Sequence, residues 1–385
     1  MKENKYYEFG YNKFGPFLFG FARWLKRELI NSGYEKVYFF SRDGYMMQKA
    51  FDLLNDTGIK SDYVYTSRKS LRQPLLYHCN GFEESLAYLS RERYISYGKL
   101  LEYYGFDELE QKDIAKTEGV RPDDAKPYDE IEGDVHARHL YETYETIIRE
   151  RSQEQDRLLL QYTEQKGMRD RFAIVDVGWH GNMQRYLELF MQRHNLGNEF
   201  EGYYLGILPN MPLATGVHGY VYDPERPKMQ KKMLCFFGVC EKLLQGFEGS
   251  TSGYMREGKD VLPKLMSYEY EDNRQVMEAI ELWQEGALAY VRGAVEQDID
   301  LSDENLCNPL LRFGRKPSLS DTRLFSFFYN MDGSKAYYTS QKPLYKYRPK
   351  ELIRSLSDSP WKTGFMKSVF KLPLPYYTVY RMMKK

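Results

Sequence analysis

The chain has few cysteines, no net charge and no long apolar run. Its four cysteines (Cys79, Cys235, Cys240, Cys307) lack the spacing of metal ligands and suit reduced cytosolic thiols better than a disulfide framework. Lys plus Arg and Asp plus Glu each number 55, so no field across the whole molecule draws in nucleic acid. No apolar stretch reaches the ~18 residues of a membrane span. The opening Met-Lys-Glu-Asn-Lys is too polar for a signal peptide. From these absences a cytoplasmic protein is expected. No Gly-Lys-Ser/Thr P-loop and no Gly-x-Gly-x-x-Gly dinucleotide fingerprint marks a nucleotide site, and no internal repeat is visible. His136 and His139 have no partners from which a zinc site could be built. Tyrosine, by contrast, is abundant, with 35 residues. Its flat apolar face and hydroxyl suit sugar stacking, interfaces and membrane surfaces, unless the count is a compositional habit of the organism.

The richest segment is 172–191. Phe172 to Val175 read as a buried parallel strand with Asp176 at its carboxyl end. Gly178 and Gly181 give a tight loop, and Met183, Tyr186, Leu187, Phe190 and Met191 then recur at helical spacing. A strand, an acid, a glycine loop and a helix form a unit that cradles phosphate through backbone N–H groups and the helix N-terminus. An acid at the strand end takes sugar hydroxyls or a metal.

Earlier in the chain, residues 14–30 are predicted to form an amphipathic helix with Leu18, Phe21, Leu25 and Leu29 on one face. Val37–Phe40 and Asp62–Tyr65 read as strands flanking a helix that turns Met47, Ala50, Phe51 and Leu54 inward, a β-α-β unit with parallel strands. Residues 76–165 are polar and read as an inserted helical cap with a charged loop near 117–134. The sheet resumes with 172–176, a helix over 183–193 and a strand near 201–207. Residues 233–256 read as a helix running into a glycine- and hydroxyl-rich turn, and 265–298 as helix. The expected fold is therefore α/β: an open, mostly parallel Rossmann-like sheet. Its core is formed by 1–75 and 166–260, with the cap over 76–165 and a mainly helical region over 261–360. From Trp361 to Lys385 there are six basic residues and no acid, interleaved with Phe365, Phe370, Tyr376, Tyr377 and Tyr380. Pro373 and Pro375 forbid one continuous helix there. Such a tail suits an anionic membrane surface, or else packs on the domain.

Ligands of open parallel sheets bind beyond the carboxyl ends of the strands. Three loops converge on that edge: Ser41-Arg42-Asp43-Gly44, Ser67-Arg68-Lys69, and Asp176 through Gln184. Arg42, Arg68 and Lys69 suit pyrophosphate, and Asp43 and Asp176 suit Mg²⁺ or ribose hydroxyls. Ser41 stands where haloacid-dehalogenase phosphatases carry their nucleophilic aspartate. Serine cannot replace that chemistry without an activating base, which argues against a phosphatase.

The strand–acid–glycine loop resembles the sugar-phosphate loop of type I phosphoribosyltransferases, although Val177 replaces the usual second acid. A wider resemblance spans nearly the whole chain. In order, it comprises an opening helix near Phe-Gly-Pro-Phe, Ser-Arg-Asp-Gly-Tyr, Tyr-x-x-Ser-Arg, Val-Asp-x-Gly-Trp-x-Gly-x-x-Gln, and a Glu before Gly-Ser-Thr-Ser-Gly-Tyr. It is similar to a bacterial family of surface-polysaccharide loci, often fused to or encoded beside a haloacid-dehalogenase phosphatase. The resemblance implies transfer of 5-phospho-ribofuranose from phosphoribosyl pyrophosphate to a lipid-linked glycan such as O-antigen or capsule. A separate phosphatase would then remove the 5-phosphate, and the enzyme would work at the inner membrane face. In that picture Ser41, Arg42, Asp43, Gly44, Ser67, Arg68, Lys69 and Mg²⁺ hold the pyrophosphate, and Asp176 holds the ribose. Gly178, Gly181 and Asn182 hold the 5-phosphate, which Gln184 either binds or braces. His180 binds phosphate or packs the loop, and Trp179 is a packing wedge or a ligand stack. The base on the acceptor hydroxyl is Asp43, Glu241 or Glu248; the two glutamates lie seven apart and share a helix face if that helix continues. Two other readings stand beside this one, a glycosyltransferase using a nucleotide sugar and a non-catalytic assembly module of a polysaccharide complex. Neither Asp298-Ile-Asp300 nor the Glu241/Glu248 pair fits a nucleotide-sugar motif in context.

Overall fold

A computed structural model describes residues 4–89, 94–197, 199–332 and 334–383. Its centre is a five-stranded, all-parallel sheet: β1 (Lys36–Phe40), β2 (Lys60–Val64), β3 (Phe172–Trp179), β4 (Phe200–Ile207) and β5 (Val217–Tyr222). The strands lie in the order β2-β1-β3-β4-β5, so the direction of winding reverses between β1 and β3. That is the switch point at which open α/β sheets leave a crevice. The β-α-β unit predicted for the first two strands is present, with Val37 opposite Ser61 and Phe39 opposite Tyr63.

The period-two alternation of strand side chains explains the two cores. Val37, Phe39, Ala173 and Val175 face one side. There they pack against α1 (Gly15–Asn31), α2 (Gly44–Leu54) and the C-terminal helices. Tyr38, Phe40, Phe172 and Ile174 face the other side, which is covered by α3 (Val135–Lys166) and α4 (Asn182–Arg193). In α4 the residues that pack inward are Tyr186, Leu187, Phe190 and Met191, as the spacing predicted.

The inserted segment is largely helical, with one short antiparallel pair, Tyr94–Ser96 with Ala125–Pro127. It has a core of its own, including Phe82, Leu100, Leu101, Tyr104 and Leu140. The 32-residue α3 belongs to both bodies. Its first half (Ala137, Leu140, Tyr141, Ile148) packs in the insertion, and its second half (Leu158, Leu159, Tyr162) covers the sheet. The strand β5 has no counterpart in the sequence reading. It lies parallel to β4 although residues 208–216 connect them without a helix, a span below the dozen or so residues that such crossovers ordinarily need. Glu188 of α4 fastens this short crossover. Its carboxylate accepts the Ala214 and Thr215 amides, each at 3.0 Å, and the Thr215 hydroxyl at 2.6 Å.

One further expectation is corrected. The segment after 250 is not only a turn, because Thr251–Glu257 pairs antiparallel with Asp260–Leu265. Gln155 and Gln165 of α3 bond this hairpin's backbone. In the tail, the prolines separate two helices, Lys362–Phe370 and Tyr376–Met383, as expected. Trp361, Phe365, Tyr376 and Tyr380 are nevertheless buried against the domain, because most of the tail's aromatic area is more stable in the core than in water. No helix among the described residues is long and apolar enough to cross a membrane.

Candidate functional site

The switch point brings together the carboxyl ends of β1 and β3. β3 continues three residues past Asp176, so the tight loop expected from Gly178 is instead the last turn of the strand. Gly178 has φ +117°, and a Cβ there would lie 2.0 Å from the Gly206 carbonyl oxygen. Only glycine fits. The turn into α4 is made at Gly181, whose left-handed φ of +71° releases the chain into the helix. Asn182 is the first residue of that helix, and its side chain is half-buried and makes no hydrogen bond among the described residues. The Ser41–Arg42 and Gly178–Trp179 peptides, which end β1 and β3, are both cis.

Three carboxylates share this crevice. Asp176 is buried and its pKa is pushed up to about 7. Burial is the main cause, and the Glu241 charge adds to it. The Val177 and Gly178 amides and the charge of Arg68 pull the other way. Asp43 is held well above the usual carboxylate range by burial, then by Glu241 and Asp176, against Arg42 and Lys242. Neither aspartate takes a side-chain hydrogen bond from another residue among those described. Glu241 accepts the Trp179 indole N–H at 2.8 Å.

The cations divide unequally. Arg42 is already engaged: its Nη1 bonds Glu269 at 2.6 Å and reaches the Glu248 carbonyl at 3.5 Å. Glu269 also binds Lys242 at 2.6 Å. Burial alone would raise the Glu269 pKa, but Lys242 and Arg42 outweigh it and hold the carboxyl below its ordinary range. Lys69 lies 3.9 Å from Glu102, and burial draws its pKa down. Arg68 is exposed, enters no ion pair among the described residues, and exerts its charge on Asp176.

Several predicted ligands prove to be braces. Ser41 exchanges two 3.0 Å hydrogen bonds with the Thr66 backbone, tying the end of β1 to the end of β2. Ser67 caps the short helix Arg68–Arg72 and donates to the Thr251 carbonyl at 2.6 Å. Gly44 is buried at the start of α2, where a Cβ would press on Phe39. Gln184 is fully buried, donates to Thr215 and Gly216 and accepts from Tyr204 at 2.5 Å, so it braces the crossover rather than meeting a ligand. Trp179 stacks on Phe237 at 4.0 Å and is a packing wedge. His180 is exposed, 3.5 Å from the Leu208 carbonyl. The helix Phe237–Leu244 (α5) ends before Glu248, so the two glutamates do not share a helix face. Glu248 instead accepts the Tyr63 hydroxyl.

Sequence reading missed Glu269, Lys242 and Glu188, because no local pattern distinguishes a buried charge from a solvated one. Thr251, inside the hydroxyl-rich segment the sequence did single out, has a buried hydroxyl with no partner among the described residues. Also among the described residues, no three His, Cys, Asp or Glu side chains are grouped to hold a metal. Two unpaired carboxylates nevertheless fit Mg²⁺ delivered on a substrate phosphate, since that ion needs only one or two protein carboxylates and keeps several waters. In sequence comparison, no family model and no curated protein matches the chain.

Proposed function

We propose that the protein is a glycosyltransferase that uses phosphoribosyl pyrophosphate and transfers 5-phospho-ribofuranose to a lipid-linked glycan. The observation that carries this reading is that Asp176 and Asp43, two carboxylates that take no side-chain hydrogen bond among the described residues, lie together at the switch point. Beside them lie the Gly181–Asn182 helix start and the unpaired Arg68. An acid beyond a strand end suits ribose hydroxyls, and a glycine-initiated helix N-terminus suits a phosphate.

In this reading Asp176 takes the ribose hydroxyls and the Gly181–Asn182 turn takes the 5-phosphate. Arg68 faces the pyrophosphate, while Arg42 stiffens the β1 loop through Glu269. The bond from C1 to the pyrophosphate oxygen breaks, and a bond from C1 to the acceptor oxygen forms. The hydroxyl proton passes to a carboxylate. Asp43 is the candidate for that role, because it lies just past the carboxyl end of β1 and burial raises its pKa, which favours uptake of the proton. Asp176 would hold Mg²⁺, which when bound would supply charge neutralisation at the leaving group, leaving Asp43 free for the proton. A separate haloacid-dehalogenase phosphatase would then act on the product.

Calorimetry with phosphoribosyl pyrophosphate and Mg²⁺, beside nucleotide sugars, tests the reading in wild type and Asp176→Ala. The expected result is binding of the first ligand alone, lost in the variant. Binding of a nucleotide sugar instead overturns it.

A further inference from the structure

The C-terminal tail buries its aromatic side and leaves another side bare. Phe370, Leu372, Leu374, Val379, Met382 and Met383 are exposed, Leu372 and Leu374 by about half (54% and 49%). They lie at and just after the turn between the two tail helices. Val379, Met382 and Met383 stand at i, i+3 and i+4, on one side of the second helix. Side chains of both tail helices fasten the turn: Lys367 Nζ donates to the Leu372 carbonyl at 3.1 Å, and the Tyr376 hydroxyl donates to the same oxygen at 2.9 Å. The leucines on this turn have no packing partner in the core clusters.

Only the tertiary structure shows what surrounds this knob. The Tyr377 hydroxyl donates to the Lys231 carbonyl at 2.9 Å, and Tyr380 reaches the Leu234 carbonyl at 3.4 Å. The turn Pro227–Lys232, with Lys228, Lys231 and Lys232, therefore lies alongside the second tail helix. Arg315 sits over the Tyr377 ring at 5.6 Å. Lys228, Lys231, Lys232, Lys367, Lys371 and Arg381 form no ion pair among the described residues. The neighbouring helix Pro349–Asp358 has acids at Glu351 and Asp358, and both are taken up by Lys342 and Arg354.

We infer that this composite face, the Leu372–Leu374 turn framed by the lysines of 228–232 and of the tail, docks on an anionic lipid surface. Exposed leucines at a turn, next to a helix flanked by lysines that form no ion pair among the described residues, match an interface whose outer layer is negative and whose interior is apolar. The face also has a fixed relation to the crevice: the backbone that receives the tail, up to Phe236, leads directly into α5, which carries Glu241. This placement rests on the proposed function only for its purpose, which is to present the crevice to acceptors embedded in the same membrane.

The test is co-sedimentation of the full chain with vesicles of phosphatidylcholine alone and with about one-third phosphatidylglycerol, with no donor or acceptor present. Wild type is expected to partition onto the anionic vesicles only. Leu372→Asp with Leu374→Asp, and separately Lys228→Ser, Lys231→Ser and Lys232→Ser together, are each expected to weaken partition at least about tenfold, since one cation near such a surface contributes about 1 kcal/mol. All altered side chains are at least partly exposed, so melting temperatures near wild type confirm folding. Failure of wild type to bind, equal binding to both vesicle types, or wild-type partition by either variant overturns the inference. Self-association through the same residues without vesicle binding also overturns it. Donor calorimetry needs no lipid, so vesicle binding without donor binding would end only the proposed reaction, and the reverse would end only this docking surface.

Discussion

Asp176 sits where two demands oppose each other. A strand end inside an α/β crevice is dry, yet a ligand for ribose or Mg²⁺ must be ionised. Its pKa of about 7 follows from burial and the nearby Glu241. Between the ordinary carboxylate value and about 7, the folded chain keeps a proton that the unfolded chain has lost. Stability is thus full at low pH and falls as pH rises through that window. Asp176→Asn should raise the stability relative to wild type by roughly 2–4 kcal/mol near pH 8 and much less near pH 4; thermal melts at the two pH values check this. Gly178 presents the opposite case, a residue defined by what it lacks. Gly178→Ala would drive a methyl into the Gly206 carbonyl at a backbone angle side chains avoid. The expected loss exceeds about 4 kcal/mol, seen as insoluble or molten protein by circular dichroism.

At the scale of elements, the two arginines near the site divide between binding and stability. Arg68→Ala should weaken donor binding about tenfold or more while leaving the melting temperature within a few degrees. Arg42→Ala should instead lower the melting temperature, because Glu269 keeps only Lys242 as its cationic partner in a buried network. Comparing calorimetric affinity and thermal melts for the pair separates the roles. The crossover 208–216 depends on Glu188 in the same way. Glu188→Ala leaves the Ala214 and Thr215 amides unpaired and should cost about 2–4 kcal/mol, with faster hydrogen exchange at those two amides.

At the scale of the whole molecule, the insertion and the tail behave differently. The insertion has its own core, joined to the sheet by the shared α3. The tail has none, since Trp361, Met366, Tyr376 and Tyr380 belong to the same cluster as α1 and Trp283. Ending the chain before Trp361 should therefore unfold or strongly destabilise the protein, where a tail serving only as a membrane tether would be removable. Solubility and a cooperative melt of the truncated chain decide between the two.

Much of this was legible in the sequence. Apolar periodicity identified the strands at 37–40, near 62–65, at 172–176 and near 201–207, and the helices between them. The strand-end acids were visible because Asp176 directly follows an apolar run and Asp43 lies three residues past the end of another. Local pattern determines such elements because it is the run itself that must be buried. It does not determine who neighbours whom. The switch point between β1 and β3, the helix-free crossover to β5, the capture of Arg42 by Glu269 and the lysine turn 227–232 beside the second tail helix each join residues far apart in sequence. Those pairings arise when side chains that no local pattern relates are enclosed together, and burial makes an unpaired charge costly enough to choose its partner. For this protein, sequence determined the elements and the acids they carry, and tertiary structure decided which of those charges stay free to act.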